Sequence, residues 1–307
     1  MALLKSAFLV RSLRLVATLF IVAVAVFFMV RFSGDPVDML AGPDAEPEVL
    51  EALNAKWGLD KPMTTQLFAF FSNAVQGDFG RSMASNRPAA EMFLDRVPAT
   101  LLLGLSSLTL SLLVGVPMGI VAALRQHSVF DRFVMSMSVL AFSMPNFFLG
   151  ILFILFFSLH LQWLPSFGSG SLLHLVMPTL TLGLSASGAI ARFSRSCMLD
   201  VLNQPYIRTA RARGIPQLRR TIVHAVPNAS IPLVTILGLR IGDLIAGAII
   251  VETVFSWPGV GRLLALSVAS RDLAVVQVIV LATAFTMVFA NLAVDLLYGV
   301  LDPRVRR

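Results

Sequence analysis

The chain has 307 residues, of which 57% are hydrophobic and 13% charged, and its mean hydropathy is +0.83. A soluble domain of this length cannot bury so much apolar surface, so the composition excludes a water-soluble globular protein and makes this an integral membrane protein. The formal net charge of +7 raises nucleic acid as a partner, but Lys and Arg follow the pattern of membrane spans instead.

In chain order, six apolar runs approach or exceed the length a spanning helix needs: 15–30, 100–124, 133–159, 172–190, 231–254 and 273–297. They are continuous and rich in Leu, Ala and Gly, without the alternation of barrel strands, so the expected fold is an all-α bundle with six transmembrane helices. The first run is short, and Arg11 and Arg14 can snorkel at its edge. It resembles a signal peptide, yet no small-x-small cleavage signal follows and Arg31-Phe-Ser-Gly-Asp35 reads straight on, so it is taken as an uncleaved first span.

Lys5, Arg11 and Arg14 precede the first run, Arg125 and Arg132 separate the second and third, and Arg304, Arg306 and Arg307 end the chain. Arg192, Arg195, Arg208, Arg211, Arg213, Arg219 and Arg220 separate the fourth and fifth. All four regions fall on one side of a six-span bundle, which places both termini in the cytoplasm. The expected organisation is a tail and first helix over 1–31, an extracytoplasmic subdomain over 32–98, and a five-helix core over 99–307 with a cytoplasmic loop at about 191–231.

The long connection after the first run is rich in Asp and Glu. Pro47, Val49, Leu50, Leu53, Trp57 and Gly58 outline one short amphipathic helix, and Leu67, Phe68, Phe70, Phe71 and Val75 a second, before the turn Gly77-Asp-Phe-Gly80. Such a lid either covers the mouth of the bundle or helps to receive a partner or substrate. Within the runs, Pro117, Pro145 and Pro178 break the hydrogen-bond ladder, while Gly115 with Gly119 and Gly238 with Gly242 allow helices to approach closely. These are general packing devices, or the marks of a bundle whose helices rock.

The segment Tyr206-Ile-Arg-Thr-Ala-Arg-Ala-Arg-Gly214, followed by Pro227-Asn-Ala, interrupts the apolar sequence. Arg208, Arg211 and Arg213 are too costly to bury in lipid, whereas Ile207, Ala210, Ala212 and a terminating Gly214 suit a short helix along a membrane surface that faces a partner. Arg240 and Asp243 lie within the fifth run, three residues apart on one face, and Glu252 lies near its outer end. They form either a self-paired couple or subunit contact, or part of a pathway. Beyond them, Trp257, Pro258, Gly259 and Gly261 specify an extracytoplasmic turn with an interfacial Trp. No nucleotide-binding, metalloprotease or nucleophile-elbow motif occurs; His127, His160, His174 and His224 sit singly, and the lone Cys197 allows no disulfide framework. No metal site is expected.

Several motifs in order resemble one family: Gly34-Asp-Pro36, Trp57-Gly-Leu-Asp-Lys-Pro62, Gly77-Asp-Phe-Gly-Arg-Ser82, Arg96-Val-Pro-Ala-Thr100, the basic segment ending at Gly214, Asn228-Ala-Ser-Ile-Pro232, Val251-Glu-Thr-Val-Phe-Ser-Trp-Pro-Gly-Val-Gly-Arg262 and Asp302-Pro-Arg304. The chain resembles the inner-membrane permeases of ATP-binding-cassette importers, in particular the first permease of the branch that handles dipeptides, oligopeptides, nickel and glutathione. The stretch Asn73-Ala-Val-Gln-Gly-Asp-Phe-Gly80 looks most like the glutathione-type members.

The resemblance implies a type I importer permease fold in the bacterial inner membrane and a heterodimer with a homologous second permease. It also implies two ATPase subunits that carry ATP and Mg, an extracytoplasmic solute-binding protein, no cofactor on this chain and no enzymatic activity of its own. Tyr206, Arg208, Thr209, Ala210, Arg211, Ala212, Arg213, Gly214 and Pro227 would form the ATPase-coupling loop. The family's loop pattern begins Glu-Ala-Ala; here Arg208-Thr-Ala210 stands in its place, so the Glu is missing. The rival readings are a secondary transporter, which needs inverted repeats or midplane coupling carboxylates, and a membrane enzyme, which needs a nucleophile–base or metal set.

Overall fold

The computed structural model describes residues 17–28, 48, 51, 54–55, 60–233 and 248–301, with side chains at all of these but 75, 291 and 293–301. Among the described residues every regular element is a helix, apart from one isolated bridge between Arg81 and Pro88. It divides into two compact units, Met1–Pro98 with Arg262–Phe289 and Ala99–Gly261 with Ala290–Arg307.

In the first unit, α1 (Ala17–Phe28) packs on α2 (Met63–Val75) through aromatic rings, Phe20 with Phe71 at 5.2 Å and Phe27 with Phe70 at 5.8 Å between centroids. The helix expected over 47–58 lies outside the described residues, save positions 48, 51, 54 and 55, which are helical. After α2, Gly77 and Gly80 adopt φ of +77° and +82°, values that only glycine reaches without strain. The Asp78 carboxylate accepts from the Gly80 amide at 2.9 Å and closes the turn. That turn delivers Ser82 to Asp272: the Ser82 hydroxyl and the Met83 amide both donate to the Asp272 carboxylate, which is 3% exposed. A short α3 (Ala89–Leu94) follows.

The second unit is built on α4 (Val97–Leu124), α5 (Val129–Ser143), α6 (Asn146–Phe153, continued by a π-helical stretch Ile154–His160) and α7 (Leu173–Leu202). Its burial pattern inverts that of a soluble protein. The buried positions of α4 include Thr100, Gly104, Ser107, Ser111, Gly115 and Gly119, a small-residue seam at about four-residue spacing, whereas Leu101, Leu102, Leu105 and Leu113 are exposed. Thr181, Gly183, Ser187, Gly188, Ala191 and Ser194 play the same part on α7. With lipid outside, apolar bulk gains nothing by turning inward, and small residues let helix backbones touch. The hydroxyls of Ser107, Ser111, Thr181 and Ser187 donate to carbonyls of their own helices, so no external partner is needed.

The expected closeness at Gly115 and Gly119 is therefore present. A Cβ on Gly115 would lie 2.7 Å from the Ser187 carbonyl oxygen, and one on Gly119 would run into the Ala191 carbonyl and lie 2.6 Å from Ser194 Cβ. Gly238 and Gly242 lie outside the described residues.

Each of the three prolines expected to break the hydrogen-bond ladder removes an amide from it, and one of them also ends its helix. Pro117 and Pro178 sit inside continuous helices. At Pro145 the helix stops: Met144 is driven to ψ 123°, as the residue before a proline is, and the two halves of the run expected over 133–159 meet at 100°. The fourth run extends past Ile190 to Leu202, so Arg192 and Arg195, expected in a loop, ride on α7. Among the described residues, three helices can cross a membrane by length and composition, Ala89–Leu124, Leu173–Leu202 and Leu273–Ala290, or four if the bent pair is one span. Most of the fifth run, 234–247, lies outside the described residues.

The α4–α7 seam yields a test. Gly119→Leu is expected to lower the amount of folded, monodisperse protein recovered from membranes, because overpacking against a backbone costs roughly 1–3 kcal/mol or more. Leu113→Ala, at a 70% exposed position, should leave recovery unchanged in the same size-exclusion assay.

Candidate functional site

At the end of the bundle where α4 and α7 stop, the chain forms α8 (Pro205–Ala212). Gln204 caps it in extended conformation and Pro205 occupies the first helical position, where a missing amide costs nothing. Its far end is a Schellman motif: the Ile215 amide donates to the Ala210 carbonyl at 3.2 Å, the Gly214 amide to Arg211 at 3.0 Å, and Gly214 takes φ +73°. A Cβ at Gly214 would meet nothing within 4 Å, so glycine is required there by backbone conformation and not by space.

The two faces of α8 differ. Ile207 and Ala210, 4% and 8% exposed, turn inward; Ile207 joins a cluster with Ala123 of α4, Cys197 and Met198 of α7, and Ala225 and Ala229 beyond. Tyr206, Arg208, Thr209, Arg211, Ala212, Arg213 and Gly214 are exposed. Ala212 thus belongs to the outer face, not to the apolar side where the sequence analysis groups it with Ile207 and Ala210. Partial burial pushes the Tyr206 phenol above its ordinary value.

Residues 217–233 form the next helix, α9, whose stretch Arg220–Ala225 is π-helical. Pro227 stands directly after that stretch, exposed. A proline inside a helix lacks its amide and crowds the carbonyl four residues back, and a wide π turn at that point makes the room. Between α8 and α9 lies a surface pocket of about 320 Å³ lined by Tyr206, Thr209, Ala210, Arg213, Ile215 and His224.

Beside this cluster, α5 is tied to α7 by an ion pair absent from the sequence reading. The Arg195 guanidinium grips Asp131 with two parallel hydrogen bonds, Nε to Oδ1 at 2.6 Å and Nη2 to Oδ2 at 2.7 Å. Asp131 is 3% exposed and also accepts from the His127 amide at 2.9 Å. Its own amide donates to the Ser128 hydroxyl, the N-cap of α5, at 3.1 Å. The available signal was local: Ser128-Val-Phe-Asp131 has capping-box spacing. Nothing local points to Arg195.

The other singled-out motifs meet at the opposite end of α4, about 40 Å away at 1.5 Å per residue. There α10 (Ile249–Val254) turns into α11 (Val260–Ala269) through Trp257-Pro-Gly259. Glu252, 0% exposed, accepts from the Thr100 hydroxyl at 2.7 Å, and Thr100 in turn accepts from the Val260 amide at 2.8 Å. The Trp257 indole donates to the Ala99 carbonyl at 2.9 Å. A Cβ on Gly259 would collide with the Glu252 carboxylate, and one on Gly261 would lie 2.5 Å from Ile249 Cα, so both glycines serve close approach. Glu252 thus holds the turn, within the interior of this unit. Arg240 and Asp243 lie outside the described residues.

Small-residue seams within, apolar bulk outside and a basic helix packed on one end define a helical membrane protein. The chain belongs to the family of binding-protein-dependent transport system inner membrane components, matched over residues 115–307, with the N-terminal part of such components matched over 5–104; it is an ABC importer permease. It is 43% identical over 297 residues, 96% of this chain and 97% of the relative, to the glutathione transport system permease protein GsiC of Escherichia coli strain K12. The same identity and coverage hold for GsiC of Shigella flexneri serotype 5b. Among solved structures, the inward-facing MetNI methionine ABC transporter shares the fold with TM-score 0.55 at 18% identity, over 69% of this chain and 96% of that one.

Asp131→Ala is expected to lower the thermal stability of the detergent-solubilised protein by an amount equivalent to roughly 3 kcal/mol, since it strands a guanidinium in a site shaped for a carboxylate. Arg195→Lys should recover only part of the loss, because an ammonium cannot make the paired contact. A melting shift no larger than that of an exposed control, Arg208→Ala, would remove the pair from its structural role.

Proposed function

We propose that this chain is a pathway-forming subunit of an ATP-driven importer in the bacterial inner membrane, carrying a peptide or glutathione-like solute. Its partners are a homologous second permease, two cytoplasmic ATPase subunits and an extracytoplasmic solute-binding protein. ATP and Mg belong to the ATPase subunits. The observation that carries this reading is near full-length similarity to a glutathione permease, joined to a Schellman-terminated basic helix seated on a buried apolar cluster.

The mechanism follows from that seat. When the ATPases close on ATP they displace α8, and Ile207 couples it to the ends of α4, α7 and α9 without slack, because close-packed interiors transmit displacement. Asp131–Arg195 passes the motion from α7 to α5. The break at Met144–Pro145 then lets the second half of that helix turn separately. At the far end of α4, the Glu252–Thr100 contact carries the same motion to the Trp257 turn.

In proteoliposomes the chain alone should hydrolyse no ATP, while the assembled complex should hydrolyse faster with solute-loaded binding protein; robust ATPase activity of the lone chain would overturn the assignment. Cells lacking the chain should lose uptake of labelled glutathione or of short peptides, which identifies the solute. Gly214→Val should leave membrane abundance near normal yet abolish transport, since left-handed backbone costs a side-chain-bearing residue roughly 1–2 kcal/mol and a β-branched one more. Gly214→Asn, tolerated at such positions, should retain much of the rate.

A further inference from the structure

The pocket between α8 and α9 has a chemistry that the coupling role does not by itself require. Its lining brings together the Arg213 guanidinium, the His224 imidazole and the hydroxyls of Tyr206 and Thr209, with Ala210 and Ile215 completing the wall and no carboxylate among them. Of these polar groups only the Thr209 hydroxyl has a partner among the described residues, the Pro205 carbonyl at 3.1 Å. Arg208, Arg211, Arg219 and Arg220 surround it on α8 and α9, and none of them forms an ion pair among the described residues. A concave site with a guanidinium, two hydroxyls and an imidazole, set among arginines that outnumber Asp200, the one nearby carboxylate of the described residues, fits a carboxylate.

Anionic lipid offers a competing source of negative charge. A helix that lies on a membrane needs an apolar face to sink into the acyl boundary. The aliphatic bulk of α8, Ile207 with Ala210, is already buried in protein, and what it presents outward is Pro205, a half-exposed Tyr206, Arg208, Thr209, Arg211, Ala212 and the capping Arg213, which is too little apolar surface to sink into lipid. The outer face of α8 is therefore suited to protein.

We propose that this pocket receives an Asp or Glu side chain of the ATPase subunit, so that the acidic partner of this interface is on the ATPase and the basic one on the permease. The inference rests on α8 being the coupling helix. It also accounts for Arg208-Thr-Ala210, where the family's loop has Glu-Ala-Ala: the permease has given up its acid and supplies the cations.

The test uses the full complex in a Cys197→Ser background. Arg213→Lys, which keeps the charge and adds an amine, is treated with a carbodiimide, and the cross-linked product is mapped by mass spectrometry. In parallel, Ala212→Cys is treated with a bismaleimide. The expected result is an amide bond between position 213 and an ATPase Asp or Glu, together with a tenfold or greater loss of ATPase affinity in Arg213→Glu, because the reversal sets like charges against each other at the contact. Raised salt should weaken the wild-type complex more steeply than Arg213→Gln. If Ala212→Cys cross-links to the ATPase while Arg213→Lys yields no amide product and the salt response of Arg213→Gln matches wild type, the coupling reading stands and the carboxylate pocket falls. If neither position reaches the ATPase, the coupling reading itself falls. If Arg213→Glu retains ATPase affinity but loses binding to phosphatidylglycerol vesicles relative to neutral ones, the pocket serves lipid and the proposal is overturned.

Discussion

The close approach of α4 and α7 at Gly115 and Gly119 is the constraint on which the rest of the second unit depends. The backbone carbonyls of Ser187 and Ala191 occupy the space that side chains at those glycines would fill. In lipid no hydrophobic force drives helices together, so association relies on dispersion between surfaces that fit and on hydroxyls satisfied within their own helices. The seam fits through its glycines and through the in-helix bonds of Ser107, Ser111, Thr181 and Ser187, and it brings the ends of α4 and α7 together as a platform. On that platform Ala123, Cys197 and Met198 make the floor on which Ile207 rests.

Polar interactions then act at the two ends of α4, where backbone groups run out of helical partners. At one end Asp131 and Arg195 join α5 to α7; at the other Glu252 and Thr100 join α10 to the start of α4 and to the first amide of α11. Both are buried contacts between residues far apart in the chain, and both sit where a helix changes direction. A buried carboxylate held by several donors is costly to half-satisfy, so each such site favours one geometry over its neighbours. The first unit uses the same device, with Asp272 taking the hydroxyl of Ser82 and the amide of Met83.

The elements between these fixed points are the ones that depart from the regular α-helix. The break at Met144–Pro145, the π-helical stretches Ile154–His160 and Arg220–Ala225, and the left-handed residue Gly214 all lie where the regular ladder is interrupted. Each can absorb rotation without unpacking the seam.

The membrane class, the apolar runs, the helix at 63–75, the turn at Gly77–Gly80, the basic helix at 206–214 and its glycine stop were all legible in the sequence. These features are written in local composition and in spacings of a few residues, which report helix period, turn chemistry and the cost of charge in lipid. So were the small residues at 115 and 119. Which helix they meet was not legible, because a small-residue motif says only that something comes close. The pairing of Asp131 with Arg195, of Ser82 with Asp272, and of the Arg96-Val-Pro-Ala-Thr100 motif with the Trp257 turn was likewise decided by tertiary structure alone. Each links residues separated by more than sixty positions, and a linear sequence carries no local energetic trace of a partner that far away. Pro145 ends its helix while Pro117 and Pro178 sit inside theirs, and the residue type, which is the same at all three, carries no sign of that difference.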